Sequence, residues 1–291
     1  MGPMDAVITY VDGNDPLWRK SFAEAVGVPA IEKRYRDWGT LVYLVRGIRC
    51  YMPFIHNIFL VVSGESQVPD WVPESDVKVV YHRDIIPSKH LPVFNSTAIE
   101  MFLHRIPGLD EQYIYFNDDM FPVRPTREEE FFVDGKSAIG FRKHLFHTGL
   151  YKQQTRNADL LARKALGMGP GLLFVRPQHT CSPMLKSACE EVFSRIGDEL
   201  EASVSALRER YNVNQYVFLD YLYYGGRAVR NSSISNQHLS LAVKTADQVC
   251  DAILHPRCSF VCINDVKLSE SQYLEMRSRI LEAFDKKFND E

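Results

Sequence analysis

The sequence lacks any excess of positive charge: 34 Lys and Arg stand against 37 Asp and Glu, for a net charge of -3. Bulk electrostatic attraction to nucleic acid or to an anionic membrane is therefore not expected. No apolar run approaches the ~18 residues that a membrane span requires. Met1 to Val11 has no basic lead followed by a long apolar stretch, so no secretory signal is expected and a cytoplasmic location is. Cysteine is sparse and unpatterned: Cys50, Cys181, Cys189, Cys250, Cys258 and Cys262 share no repeated pair spacing. Cys258 and Cys262 are four apart, but no His or Cys pair nearby completes a zinc set. Reduced, buried thiols are the expectation. Internal repeats and low-complexity linkers are absent too. What is present is a chain of 291 residues, 45% hydrophobic, enough for one large α/β domain with a sizeable core.

Strand and helix patterns alternate through the first half. Asp5 to Val11 reads as a strand closed by the turn Asp12-Gly13-Asn14-Asp15-Pro16. Leu41, Leu44, Val45, Ile48 and Met52 recur at helical spacing, which predicts a helix over Thr40 to Met52. Asn57 to Val62 and Val77 to Tyr81 read as strands. Ser96 to Ile106 reads as a helix with Thr97 and Glu100 in capping-box register. Tyr113 to Phe116 is a fourth strand. This alternation predicts a Rossmann-like, mostly parallel sheet flanked by helices. Beyond Glu128 the pattern predicts a strand near Ala138 to Arg142 and helices over Ala158 to Leu166, from Ser182-Pro183, over Gln215 to Tyr224 and over Glu270 to Phe288. The expectation is one domain, with residues 1–127 as an α/β part and 128–291 as a mainly helical part that completes the site.

The chemistry is concentrated in Asn117-Asp118-Asp119. Two adjacent carboxylates at the end of a buried strand repel each other and are costly to desolvate. A divalent cation removes both penalties, and hard oxygen ligands suit Mg²⁺ or Mn²⁺; a solvated turn is the plain alternative. Ligands of open α/β sheets bind at the carboxyl ends of strands, and both Asp12-Gly13 and Asn117-Asp118-Asp119 lie at that edge. Gly13 permits a tight turn or a close backbone approach. Asp12 serves equally well as an Asx-turn acceptor. His179 precedes the Ser182-Pro183 helix start, beside a helix N-terminus that favours anions. It is a candidate base, or a structural histidine. The clusters Arg208-Glu209-Arg210 and Arg34, Arg36, Asp37 are either phosphate ligands or surface ion pairs.

Together these segments resemble the Stealth family of sugar-phosphate transferases. The resemblance is carried by Asp5 to Trp18, by Arg34-Tyr35-Arg36-Asp37 and the stretch on to Tyr115-Phe116-Asn117-Asp118-Asp119-Met120-Phe121, by His179-Thr180-Cys181-Ser182-Pro183-Met184-Leu185-Lys186, and by Arg208 to Tyr224 with Cys262-Ile263-Asn264-Asp265. The chain departs from the family pattern at Cys181, where Pro is frequent, and at Thr97, where His is. The resemblance implies transfer of sugar-1-phosphate from a nucleotide diphosphate sugar, UDP-linked, to a hydroxyl of a growing capsular or extracellular glycan. It implies Asp118 and Asp119 as ligands of Mg²⁺ or Mn²⁺, with Asp12 as a candidate third. His179 becomes the general base, and Arg210 and Arg34 supply positive charge, Arg34 oriented by Asp37. Asn95 and Glu100 become sugar contacts; Gly13, Asn117, Asn264 and Asp265 complete the pocket. A metal-dependent glycosyltransferase is the competing activity, since a strand ending in acidic residues serves that class as well. Peripheral attachment to a membrane glycan-assembly complex is the remaining expectation.

Overall fold

The computed structural model describes residues 2–29, 35–231, 235–265 and 268–289. Strand β1 (Met4–Thr9) is buried along its whole length. Helix α1 (Pro16–Val26) follows, where the sequence pattern marks only a turn. The Asp15 carboxylate accepts the Leu17 N–H and Pro16 occupies the first helical position, so the turn signal is in fact a cap. Then come α2 (Leu41–Tyr51), β2 (Ile55–Val62), β3 (Val77–Tyr81), α3 (Ser96–Glu100) and β4 (Gln112–Asn117).

These strands form the main sheet, in the order β10-β4-β1-β2-β3, where β10 is Ser182–Leu185. β1 through β4 run parallel and β10 closes the edge antiparallel to β4. The chain moves outward from β1 to β2 and β3, then returns to lay β4 on the other side. The order therefore reverses between β1 and β4, which is where a crevice opens in such sheets. Thr9 pairs with Asn117, so the two carboxyl ends are level.

The remainder combines helices with short strands: β5 (Met120–Pro122), β6 (Phe132–Val133), β7 (Lys136–Ile139), β8 (Phe141–His144), α4 (Leu150–Ala165), β9 (Phe174–Pro177), α5 (Lys186–Ala202), α6 (Tyr216–Tyr224), β11 (Ala228–Arg230), β12 (Asn236–Ser240), α7 (Ala246–Leu254), β13 (Phe260–Asn264) and α8 (Glu270–Asn289). β12-β13-β5 and β11-β7-β6 are three-stranded sheets, and β8-β9 is a two-stranded ribbon. α8 docks on α2 by stacking Phe284 on Tyr43 at 5.2 Å. Phe284 is fully buried, which contributes about 1.5–3 kcal/mol. The same helix fixes the loop before α2, because the Tyr273 hydroxyl donates to the Asp37 carbonyl at 2.6 Å.

Two predicted helices are corrected. Ser182-Pro183 starts a strand, and α5 begins only at Lys186. The open edge of β4 captures this segment, and a proline without an N–H is tolerated on an edge strand. The helix expected over Ser96 to Ile106 ends at Glu100. Its cap is Asn95, whose Oδ1 accepts from the Thr97 N–H, and no Thr97–Glu100 capping box forms. Glu100 instead turns inward and accepts the Gln215 N–H at 3.0 Å.

Candidate active site

The site is built where the chain changes sheets. β4 ends at Asn117 and β5 begins at Met120, but β5 pairs with β13 and not with the main sheet. Asp118 and Asp119 are the turn between them. The Tyr115 hydroxyl donates to Asn117 Oδ1 at 2.8 Å and lies 3.0 Å from Thr9 Oγ1, which ties the end of β4 to β1. On the far side the Ile263 N–H donates to the Asp119 carbonyl at 2.9 Å. The acidic turn is thus held from both sheets and has little freedom to relax its charges apart.

It faces a cavity of about 1110 Å³ lined by both halves of the chain, just above the roughly 300–1,000 Å³ common for small-molecule sites. The Asp118 carboxyl is pushed up to about 7, first by burial and then by the charges of Asp119 and Asp37. Asp37 is raised as well, mainly by burial. Asp119 accepts the Cys262 thiol at 3.4 Å through Oδ2, while its Oδ1 is buried with no hydrogen-bond partner. Burial and Asp119 drive the Cys262 thiol far upward, so it keeps its proton and acts as a donor. Ligand atoms of Asp119, His179 and Cys262 lie within 4.8 Å of one another, one of two such groups among the described residues. An orphaned carboxylate oxygen beside a second unneutralised carboxylate fits a divalent cation.

His179 lies on the loop before β10, not at a helix N-terminus, so the helix-dipole argument for it falls away. What positions it is its carbonyl, which accepts from Asn236 Nδ2 at 2.5 Å. Burial lowers its pKa against the opposing pull of Asp119, which favours the neutral ring.

Of these two arginines, Arg208 faces the cavity and Arg210 does not. Arg208 Nη2 donates to Ser96 Oγ at 2.5 Å, and its charge acts on buried Glu100. Arg210 is exposed and outside the cavity, and its carbonyl accepts from Asn157. The chain is not extended here but turns at Arg210 and Tyr211, so the two arginines do not share a face. Arg34 lies outside the described residues. Its neighbour Arg36 lines the cavity, 3.3 Å from Asp265 and 4.4 Å above the Tyr273 ring.

Asp12 is not a wall of the cavity; its Oδ1 accepts the Asn14 N–H at 2.7 Å as an Asx turn. Gly13 serves close approach, but to the protein: a Cβ there would meet the Tyr35 carbonyl oxygen at 2.3 Å. Asn95 borders the cavity with its amide committed to Thr97, Leu207 and Asn212. Glu100, Asn117, Asp37, Asn264 and Asp265 all line it. Sequence reasoning missed Arg176, Tyr151 and His238, which also line it. Arg176 had a local signal, a lone cation within the apolar run Leu172 to Pro177. Tyr151 and His238 had none.

Residues 34–139 match the family model for Stealth protein CR2, conserved region 2. A capsular polysaccharide phosphotransferase of Haemophilus influenzae is 30% identical over 295 residues, covering 93% of this chain and 80% of that protein. A receptor polysaccharide phosphotransferase of Streptococcus oralis is 38% identical over 143 residues, covering 46% of this chain and 42% of that protein. The chain spans about half the length, or less, of the first curated relatives it matches. Among solved structures, a galactosyltransferase in complex with donor and acceptor sugar analogues is similar with a TM-score of 0.47 at 9% identity, over 97% of this chain and 95% of that one. No helix among the described residues is long and apolar enough to cross a membrane.

Proposed function

Because this chain belongs to the Stealth family of polysaccharide phosphotransferases, we propose that it moves sugar-1-phosphate from a UDP-linked sugar to a hydroxyl of a growing capsular or extracellular glycan, at the cytoplasmic face of the membrane. The observation that carries the reading is the juxtaposition of the Asp118-Asp119 turn with His179 in one cavity that also holds Arg208 and Arg176.

In this reading His179 takes the proton of the acceptor hydroxyl. The hydroxyl oxygen bonds to the phosphorus next to the sugar, and the bond from that phosphorus to the bridging oxygen breaks. The nucleoside monophosphate leaves with the bridging oxygen, and the glycan keeps the phosphorus as a phosphodiester. Asp118 and Asp119 would hold Mg²⁺ or Mn²⁺, which when bound neutralises charge on the diphosphate. Arg208 and Arg176 add positive charge from the other walls, in keeping with a reaction governed by positioning and electrostatics. Asp37, Asn264 and Asp265 shape the donor end, and Glu100 with Asn117 borders the sugar.

The test is incubation with Mg²⁺, a panel of nucleotide sugars and a glycan acceptor. Release of nucleoside monophosphate with phosphorus retained in the glycan is expected. Release of nucleoside diphosphate, with no phosphorus in the product, would replace this reading with a glycosyltransferase.

A further inference from the structure

Seven of the thirteen exposed large apolar side chains among the described residues fall between positions 145 and 173, a tenth of the chain. Five of them come from the two loops at one end of the β8-β9 ribbon, and Leu150 and Tyr151 from the first turn of α4. His144 pairs with Phe174, so the loop leaving β8 and the loop entering β9 emerge side by side. Phe146 is 72% exposed and Leu172 82%, with Leu145, Leu173 and Met168 around them. A concentration of this kind on one lip is not the scattered exposure that any surface shows.

The same stretch is strongly basic. Residues 141–176 contain seven Lys and Arg against one acid, Asp159, in a chain whose net charge is -3. Asp159 is buried and paired with Arg156 and Arg163, and Lys164 pairs with Glu199. Arg142, Lys143 and Lys152 have no ion-pair partner among the described residues. Arg142 stands directly opposite Arg176 across the ribbon. Like charges in that position are destabilising unless an anion lies over them. Arg176 and Tyr151 also line the cavity, so the lip is continuous with its mouth.

We infer that this lip is a membrane-docking surface: the apolar loop tips enter an anionic phospholipid bilayer and the basic ribbon lies on its headgroups, turning the cavity mouth to the membrane. Apolar insertion and anionic attraction acting together are what reversible peripheral attachment requires. A lipid-anchored glycan would then reach His179 without leaving the membrane. That last link rests on the transferase reading; the docking itself does not.

Sedimentation of the full chain with vesicles tests it. At low salt, binding to phosphatidylglycerol–phosphatidylcholine vesicles is expected to exceed binding to pure phosphatidylcholine by at least ~10-fold. The double substitution Phe146→Ser, Leu172→Ser should lower the anionic-vesicle binding by at least ~10-fold, and Arg142→Ala, Lys143→Ala should do the same while flattening its salt dependence. Nucleoside monophosphate release with a water-soluble acceptor should stay within about twofold in both variants, because neither touches the cavity. Equal binding to both vesicle types, or an unchanged apolar double variant, overturns the proposal. So does concentration-dependent self-association of the parent that the apolar substitutions abolish, since the lip would then cover a second copy. Tight binding of a soluble phosphorylated glycan that only the Arg142→Ala, Lys143→Ala variant loses, without vesicle binding, assigns the ribbon to polymer and also overturns it. Vesicle binding without turnover on any donor would sink the transferase reading and leave the docking standing.

Discussion

The strands of the main sheet carry a cluster of acidic and histidine side chains at each end, and the two differ in a way that separates scaffold from chemistry. At the amino end, Asp5, His56 and Asp110 gather near the start of β1. Asp5 is fully buried, yet both its oxygens are satisfied: Oδ1 accepts from the Asn57 N–H and side-chain amide, and Oδ2 from the Asp110 N–H. At the carboxyl end, Asp119 keeps a buried oxygen with no partner and Asp118 is raised by burial and then by two neighbouring acids. A carboxylate saturated with backbone donors ties a fold together. One left hungry in a cavity awaits a ligand.

The sharpest way to break this comparison is to neutralise one acid at each end. Asp119→Asn is expected to lower turnover by at least about 10³-fold, the scale of several kcal/mol of lost charge stabilisation, while the fold stays intact. Asp5→Asn should do the reverse. It places an amide NH₂ against N–H donors and should cost about 1–3 kcal/mol of stability, with kcat of the folded protein nearly unchanged. Steady-state kinetics beside thermal melts decides; a large turnover loss in Asp5→Asn would erase the distinction.

A smaller effect separates two arginines that are neighbours in sequence but differ in surroundings. Arg208→Ala should reduce kcat/KM by about 10–100-fold, the worth of one charge-assisted contact to phosphate. Arg210→Ala should leave it within about twofold, since that side chain is exposed and away from the cavity. Donor titrations of both variants check it, and the reverse order would move the functional arginine outside the cavity.

The Asp118-Asp119 turn was legible because buried aromatics give way abruptly to acids, a local pattern. The parallel sheet followed from alternation, also local. His179 does line the cavity, but not at a helix N-terminus, since the expected helix at Ser182 is an edge strand recruited by β4. Pairing between segments seventy residues apart leaves no mark in either. The same holds for Cys262, set beside Asp119 only by the β5-β13 pairing, and for Tyr151 and His238, brought to the cavity by elements distant in the chain. Asp12 shows the opposite failure. Its Asx turn and its ligand reading share one sequence signature, and only the surroundings choose between them.

The smallest expected effect concerns stability without metal. Asp118 is raised from the ordinary 3.8 to about 7. Between those values the native state binds more protons than the unfolded chain, so this group makes stability fall as pH rises, with the full penalty present above pH 7. Asp118→Asn removes that penalty. The metal-free variant should therefore melt higher than the parent at pH 8, by on the order of a few degrees, and the gap should close as pH falls toward 4. Asp5 is also raised by burial, but it is present in both proteins and cancels in the difference. Adding Mg²⁺ or Mn²⁺ at pH 8 should raise the parent's Tm more than the variant's, since a bound cation offsets the cost of the buried Asp118 charge, which the variant lacks. Coincident melts of the metal-free proteins at pH 8 would mean that the acids at this end of the sheet are as well satisfied as Asp5 at the other.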